Sequence, residues 1–362
     1  MSHSAPRKIR VLVVDDSALV RRAIGEALAR DPALEVVGTA CDPYVAREKI
    51  AQLDPDVLTL DLEMPRMDGL TFLRILMEHH PLPVVVVSSL TQHGSQAALD
   101  AMEAGAVDVL AKPDGTMSIG ALADKLAFHV KAAAAAARRL RRPTAIQATP
   151  ELALAPPPQG DPRQLIVIGG STGGVEALRQ IIPRLPAGLP PIAVVQHISA
   201  FFSRAVADRL ASMSRIRVRE AADGESLRPG ECVIAPGDFH LAIDYRSGGF
   251  VTRLLQTPPI HHCRPAVDVL FRSAAEAAGR QSVGVLLTGM GSDGAFGMQA
   301  IRAAGGTTIA QDESTSVVYG MPRVAVELGV VDQVVPLGAI PAAIRDAVIA
   351  PLRRGRGGNA SP

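Results

Sequence analysis

Three side chains in the second half of the sequence, Ser171, His197 and Asp293, are of the types that together turn a hydroxyl into a nucleophile. Ser171 follows Leu165-Ile-Val-Ile-Gly-Gly and precedes Thr-Gly-Gly, so it stands where an apolar, β-branched run gives way to glycines. Two kinds of chemistry suit that position. A helix N-terminus beyond the glycines can cradle a phosphate, or the serine can attack an acyl carbon while nearby N–H groups hold the oxyanion. A tight structural turn is the third possibility. The run is neither G-x-G-x-x-G nor G-x-x-x-x-G-K-[ST], because the spacing differs and no lysine follows. His197 ends the apolar run Ile192-Ala-Val-Val-Gln, and Asp293 lies in Gly289-Met-Gly-Ser-Asp-Gly after Ser282-Val-Gly-Val-Leu-Leu-Thr. If those runs are neighbouring parallel strands, a nucleophile, a base and an orienting acid reach one rim. The order Ser, His, Asp and the missing G-x-S-x-G set the chain apart from ordinary α/β-hydrolases.

A second cluster lies in the first half. Asp15 and Asp16 follow Val11-Leu-Val-Val, Asp61 follows Val57-Leu-Thr-Leu, Ser88 follows Val84-Val-Val-Val, and Lys112 comes shortly after Val107-Asp-Val-Leu. Converging carboxylates repel one another unless a cation compensates them, and Mg²⁺, a hard ion that takes oxygen ligands, suits such a set. An aspartate held there can accept a phosphoryl group while Mg²⁺ and Lys112 neutralise the developing charge. Taken singly, each of these residues reads as a strand-end cap or a surface ion pair. Five at successive strand ends do not.

The elements that must position these groups are legible from periodicity. In the first half, short apolar strands alternate with helices, one of which carries Leu19, Val20, Ala23, Ile24, Ala27 and Leu28 at helical spacing behind Ser17. Asp42-Pro43 reads as a cap followed by proline at the first helical position. After Ser171, positions Val175, Leu178, Ile181 and Ile182 fall on one helical face. This alternation predicts α/β architecture, two doubly wound parallel sheets with functional groups at the carboxyl ends of the strands. A helix over 121–142 ends in an alanine run and an arginine cluster, and the Pro/Ala-rich stretch to Pro162 reads as a semi-extended linker. The domain reading is 1–127, a linker region 128–162, a second domain 163–352, and a disordered tail 353–362.

Other candidates are weaker. His240 precedes a β-ribbon pattern, and His261-His262-Cys263 are contiguous, which is poor zinc spacing; Cys263 is a minor option as nucleophile. The length of 362 residues fits two domains, and 48% hydrophobic residues suffice for two cores. A formal charge of +1 and the lack of a basic recognition helix argue against a nucleic-acid partner. Three scattered cysteines, Cys41, Cys232 and Cys263, with neither a signal-peptide pattern nor a membrane-length run, suggest a cytoplasmic protein.

Asp15-Asp16, Asp61-Leu-Glu-Met-Pro-Arg-Met-Asp-Gly, Ser88 and Lys112-Pro113 together resemble the receiver domain of two-component response regulators. The resemblance implies a flavodoxin-like fold and Asp61 as phosphoacceptor. Asp15 and Asp16 would join it around Mg²⁺, Ser88 would be the switch hydroxyl and Lys112 the phosphoryl-contacting amine. Gly169-Gly-Ser-Thr-Gly-Gly, Gln196-His197, Ala235-Pro-Gly, Arg264-Pro-Ala-Val-Asp and Leu287-Thr-Gly-Met-Gly-Ser-Asp-Gly resemble the CheB methylesterase catalytic domain. That resemblance implies a Rossmann-like domain with Ser171 as nucleophile, His197 as base then acid, and Asp293 as its orienter. The Met290 N–H would be the oxyanion donor, assisted from Thr172. It further implies a phosphorylation-activated esterase, monomeric and needing no cofactor for the ester reaction. The enzyme would take phosphoryl groups from a chemotaxis histidine kinase and act on glutamate methyl esters, and selected glutamines, of membrane chemoreceptors. Cys263 stands where that family often has His before Arg-Pro, and Ala266 where Ser is frequent. The competing readings are a phospho-dependent binding module without catalysis and a nucleotide-binding second domain.

Overall fold

The computed structural model describes residues 7–88, 92–112, 119–140 and 163–356. The chain divides into two compact units, Met1–Ala145 and Ile146–Pro362. Among the described residues no helix is long and apolar enough to cross a membrane.

The first unit runs β1 (Ile9–Val14), α1 (Ala18–Leu28), β2 (Leu34–Ala40), α2 (Pro43–Leu53), β3 (Val57–Leu60), α3 (Gly69–His79), β4 (Val84–Ser88), α4 (Gln92–Glu103), β5 (Asp108–Ala111) and α5 (Ile119–Leu140). Its five strands pair in the order β2-β1-β3-β4-β5, all parallel. Local chemistry starts the helices as the sequence suggests: the Ser17 hydroxyl accepts from Val20 N–H, and Asp42 accepts from the N–H groups of Tyr44 and Val45. The strand order reverses between β1 and β3, and a crevice beyond such a reversal is where parallel sheets place their sites. Val14 is the register partner of Leu60, so Asp15 and Asp61 leave the sheet side by side.

The second unit contains β6 (Leu165–Gly170), α6 (Gly174–Ile181), β7 (Ile192–Gln196), α7 (Ala200–Met213), β8 (Arg217–Glu220), β9 (Ser226–Leu227) and β10 (Glu231–Ile234). It continues through β11 (His240–Arg246), β12 (Gly249–Leu255), α8 (Val267–Ala278), β13 (Ser282–Leu286), α9 (Ala295–Ala303), β14 (Thr307–Gln311), α10 (Met321–Glu327), β15 (Gln333–Val335) and α11 (Ile340–Arg356). Seven parallel strands form one sheet in the order β15-β14-β13-β6-β7-β10-β8, and β11, β12 and β9 form a small antiparallel sheet. The central strands β6, β7 and β13 are buried along their whole length, as continuous apolar runs in a sheet covered on both faces should be. Val167, Val195, Leu270, Phe271 and Met298 belong to the core packed against that sheet.

Register sets the rim of this sheet. Leu286 pairs with Gly169, and Gly170 with Gln196, so β13, β6 and β7 end level with one another. Pro113, most of the Pro/Ala-rich linker (141–162) and the end of the tail (357–362) lie outside the described residues, while 353–356 of the expected tail fall within α11.

Candidate active site

Ser171 is the first residue after β6, and its backbone is held from both sides. Its N–H donates to Thr288 O at 3.0 Å, and its carbonyl accepts from Gly174 N–H at 2.7 Å and from the Gln196 side-chain amide at 2.7 Å. The Ser171 amide is therefore committed and unavailable to an oxyanion. Gln196, fixed in turn by β7, ties the Ser171 turn to the neighbouring strand. Sequence reasoning noted Gln196 only as part of a motif; its role emerges from the pairing of β6 with β7.

His197 follows Gln196, and its N–H donates to Gly170 O at 3.1 Å. The imidazole Nδ1 lies 3.1 Å from Ser171 Oγ, and Nε2 lies 2.7 Å from Asp293 Oδ2. An ionised Asp293 accepts the Nε2 proton, which leaves Nδ1 of a neutral ring with a lone pair facing the serine hydroxyl. The three predicted residues thus converge in one hydrogen-bonded line.

Asp293 is buried and saturated by donors. Besides His197, its Oδ2 accepts from Val267 N–H at 2.7 Å and its Oδ1 from Asp268 N–H at 2.9 Å. These are the first amides of α8, which lack partners within their own helix and carry the positive end of its dipole. Burial would raise the Asp293 carboxyl, but the His197 hydrogen bond and charge, with the two amides, hold it below the ordinary carboxylate range. The Arg264-Pro-Ala-Val-Asp motif thereby finds a physical purpose: it delivers the helix start that seats Asp293. Periodicity marked the helix, but nothing local to the sequence marks that carboxylate as what lies at its start.

Cys263 is the other feature whose place in the site the local sequence does not give. Its Sγ lies 3.4 Å from His197 Nδ1, the nitrogen that also faces Ser171. Burial works against a charged His197 ring, yet the neighbouring Cys263 and the Asp293 carboxylate outweigh it and push the imidazolium up to about 10. His240 is buried and structural, its Nδ1 accepting from Ala266 N–H and its Nε2 lying 3.1 Å from Pro258 O. His261 meets Asp268 at 3.3 Å rather than joining His262 and Cys263 around a metal. His261, Asp268 and Asp293 do cluster, but the Asp293 oxygens already accept three hydrogen bonds and one Asp268 oxygen accepts Gly297 N–H at 2.6 Å.

The loop after β13 carries Met290. Gly289 lies so close to Ser171 that a Cβ there would fall 2.6 Å from the serine Cβ and 2.3 Å from Met321 Sδ. Gly289 N–H donates to Val318 O, and Gly289 O accepts from Gly320 and Met321 N–H groups, which pins the loop beside the serine. Gly289→Ala is expected to lower activity at least tenfold by displacing Ser171 or the Met290 amide, a misplacement of about 1 Å being worth up to roughly 10²-fold. Steady-state kinetics beside a thermal melt would separate that effect from simple unfolding.

In the first unit, Asp15 and Asp61 are buried, and Lys112 Nζ lies 3.0 Å from Asp15 and 2.7 Å from Asp61. Asp16 is exposed beside them, and the three carboxylates offer oxygens within 4.8 Å of one another. This all-oxygen set of one exposed and two buried carboxylates fits Mg²⁺. Burial pushes Asp61 up to about 6, with Asp15 adding to the rise and Lys112 opposing it. Burial lowers Lys112, but Asp61 and Asp15 more than reverse that, so its ammonium is held charged. Ser88 ends β4 in register with Ala111, which places its backbone beside the strand leading to Lys112; its side chain lies outside the described residues.

The fold and the two rims define a class: a response-regulator receiver unit joined in one chain to an α/β unit of hydrolase type. The family model for the response regulator receiver domain matches residues 11–123, and that for CheB methylesterase matches 166–344. A protein-glutamate methylesterase/protein-glutamine glutaminase from Syntrophus aciditrophicus is 48% identical over 334 residues, 92% of this chain and 97% of that protein. One of the same description from Syntrophotalea carbinolica is 49% identical over 351 residues, 94% and 98% of the two chains. Among solved structures, the Thermotoga maritima CheB methylesterase catalytic domain superposes with a TM-score of 0.50 at 44% identity, covering 51% of this chain and 98% of that one. The chain belongs to the CheB methylesterase family, with a receiver domain preceding the methylesterase domain.

Proposed function

We propose that this chain is a phosphorylation-activated protein-glutamate methylesterase that also deamidates glutamine, acting on chemoreceptors in chemotactic adaptation. The observation that supports it most is the line Ser171–His197–Asp293, with 3.1 Å and 2.7 Å contacts, at the end of three adjacent parallel strands. The names of the relatives support the pair of activities.

In this reading Ser171 Oγ attacks the carbonyl carbon of a glutamate γ-methyl ester as its proton passes to His197 Nδ1. The tetrahedral oxyanion is held by the Met290 N–H, assisted from the Thr172 turn. Collapse breaks the ester C–O bond, and methanol leaves with the proton from His197. Water then gives a proton to His197 and attacks the acyl-enzyme, and the return of that proton to Ser171 Oγ frees a glutamate carboxylate. A glutamine side chain follows the same path with ammonia as the leaving group. Asp293 keeps the ring in the correct tautomer and stabilises the imidazolium without itself taking the proton.

The receiver supplies control. Asp61 accepts a phosphoryl group from a chemotaxis histidine kinase. Asp15, Asp16 and Asp61 would hold Mg²⁺, which neutralises charge on the phosphoryl oxygens when bound, and Lys112 and Ser88 read the modified aspartate. The chain acts in the cytoplasm as a monomer, with no nucleic-acid partner.

Methanol release from methylated chemoreceptor membranes, with and without Mg²⁺ and a small phosphodonor, tests both halves. Release is expected to rise with the phosphodonor, and Asp61→Asn is expected to abolish that rise. Release indifferent to the phosphodonor would discard receiver control and keep the esterase. No release from a folded, phosphorylated chain would favour the binding module.

A further inference from the structure

We propose that Cys263 is a modification site, a histidine-activated thiol that forms a mixed disulfide with low-molecular-weight disulfides and thereby shuts the Ser171 centre. Its placement is built rather than incidental. Ile260 and Cys263 exchange both backbone hydrogen bonds, Ile260 N–H to Cys263 O at 3.0 Å and Cys263 N–H to Ile260 O at 2.8 Å. The two residues between them, His261 and His262, have φ of 50° and 63°. Consecutive non-glycine residues in the left-handed region cost energy and persist only where the surroundings hold them. Here one anchor is visible: His261 Nε2 meets Asp268, the second residue of α8. On the far side, the Arg264 guanidinium donates to Thr257 O at 3.1 Å. The turn therefore presents Cys263 to His197 from a fixed position.

His197 Nδ1 has one lone pair and two neighbours that can use it, Ser171 Oγ at 3.1 Å and Cys263 Sγ at 3.4 Å. A thiol within reach of an imidazole can ionise, and the thiolate is the more nucleophilic species. The other two cysteines are internal contrasts. Cys41 is exposed, and its sulfur lies 3.6 Å from an Asp42 carboxylate oxygen rather than beside an imidazole. Cys232 is fully buried, and burial pushes it up to about 12. Cys263 alone combines partial exposure with a base.

The step balances as thiol–disulfide exchange. The Cys263 S–H proton passes to His197 Nδ1, and the thiolate attacks one sulfur of the disulfide RSSR. The new bond is Cys263 Sγ–SR, the old S–S bond breaks, and the departing RS⁻ takes the proton from His197 as RSH. Cys263 is oxidised and one sulfur of the reagent is reduced; a thiol reductant reverses both. The adduct then stands beside the nitrogen that Ser171 needs. This inhibitory consequence rests on the reading of Ser171 as nucleophile, whereas the reactivity of the thiol does not.

The test is to incubate the full chain with oxidised glutathione and follow each cysteine by peptide mass mapping, alongside fluorophosphonate labelling of Ser171 and methanol release. Cys263 is expected to react at least about tenfold faster than Cys41, and His197→Gln to slow Cys263 by about tenfold or more. Labelling and methanol release should fall together with adduct formation and return with dithiothreitol. In Cys263→Ala, whatever its basal rate, neither should respond to the reagent. Equal rates at Cys263 and Cys41, or indifference to His197→Gln, would overturn the activated thiol. A fully modified chain that still labels and releases methanol would overturn the shut-off. A chain that releases no methanol even before treatment refutes the esterase reading instead, and the mass-mapped rates still decide the thiol.

Discussion

Ser171→Ala is expected to lower methanol release by roughly 10⁴-fold or more, as removal of a triad nucleophile does elsewhere, leaving what the oxyanion donors and binding supply. The reason is specific to this site. Ser171 Oγ is hydrogen-bonded to His197, whereas the turn's shape depends on backbone bonds to Thr288, Gly174 and Gln196 that alanine keeps. The cost in stability should therefore stay near 1 kcal/mol, the net worth of one hydrogen bond. Methanol release measured beside urea denaturation separates the two effects. A variant within tenfold of the parent would show that Ser171 is not the nucleophile, and would redirect attention to Cys263.

Asp293→Asn should cost nearly as much, on the order of 10⁴-fold, by turning the histidine the wrong way. Three donors converge on the carboxylate: His197 Nε2–H and the N–H groups of Val267 and Asp268. A neutral amide has one oxygen, and its NH₂ must face at least one of these donors. With NH₂ in the place of Oδ2 it faces His197 Nε2, so the ring proton moves to Nδ1 and points at the serine; with NH₂ in the place of Oδ1 it meets Asp268 N–H, and in either case the charge that steadies the imidazolium is gone. The pH profile supplies the sign. His197 must be neutral to act as base, and with its imidazolium pushed up to about 10 the parent's kcat/KM is expected to rise with pH along a limb well above the ordinary 6.5. Removing the Asp293 charge withdraws part of what favours the imidazolium, so the residual activity of the variant should reach its plateau at lower pH. A limb that stays in place would mean that Asp293 does not set the histidine. Stability follows the same linkage. The Asp293 carboxyl is depressed in the folded state, so its contribution is present above the unfolded carboxyl value and is lost as pH falls through the folded one.

Much of the site was legible because parallel α/β sheets carry function at the carboxyl ends of their strands. A β-branched run that stops at glycine-serine, another that stops at glutamine-histidine, and a third that enters a glycine-rich loop with an aspartate are local patterns. Their convergence required only that the runs be neighbours, and the order β13-β6-β7 makes them so. The acidic rim was legible for the same reason, since Asp15 and Asp61 end the two strands that flank the reversal. What stayed hidden depends on contacts between residues far apart in sequence. The amides of Val267 and Asp268 meet a carboxylate some 25 positions away, and Gln196 grips the carbonyl of Ser171 across a strand pair.

The two-unit α/β organisation, the residue types at each rim and the family follow from the chain's local patterns, because periodicity, strand-end chemistry and turn glycines are written locally. Which imidazole nitrogen faces the serine, and what seats Asp293, came from long-range packing alone. Tertiary packing also places Cys263, a loop residue in the sequence, beside the same His197 nitrogen that faces Ser171. Those outcomes hang on ångström-scale placement by a hairpin turn and a helix start, and placement of that kind is set by packing rather than by the identity of neighbours along the chain.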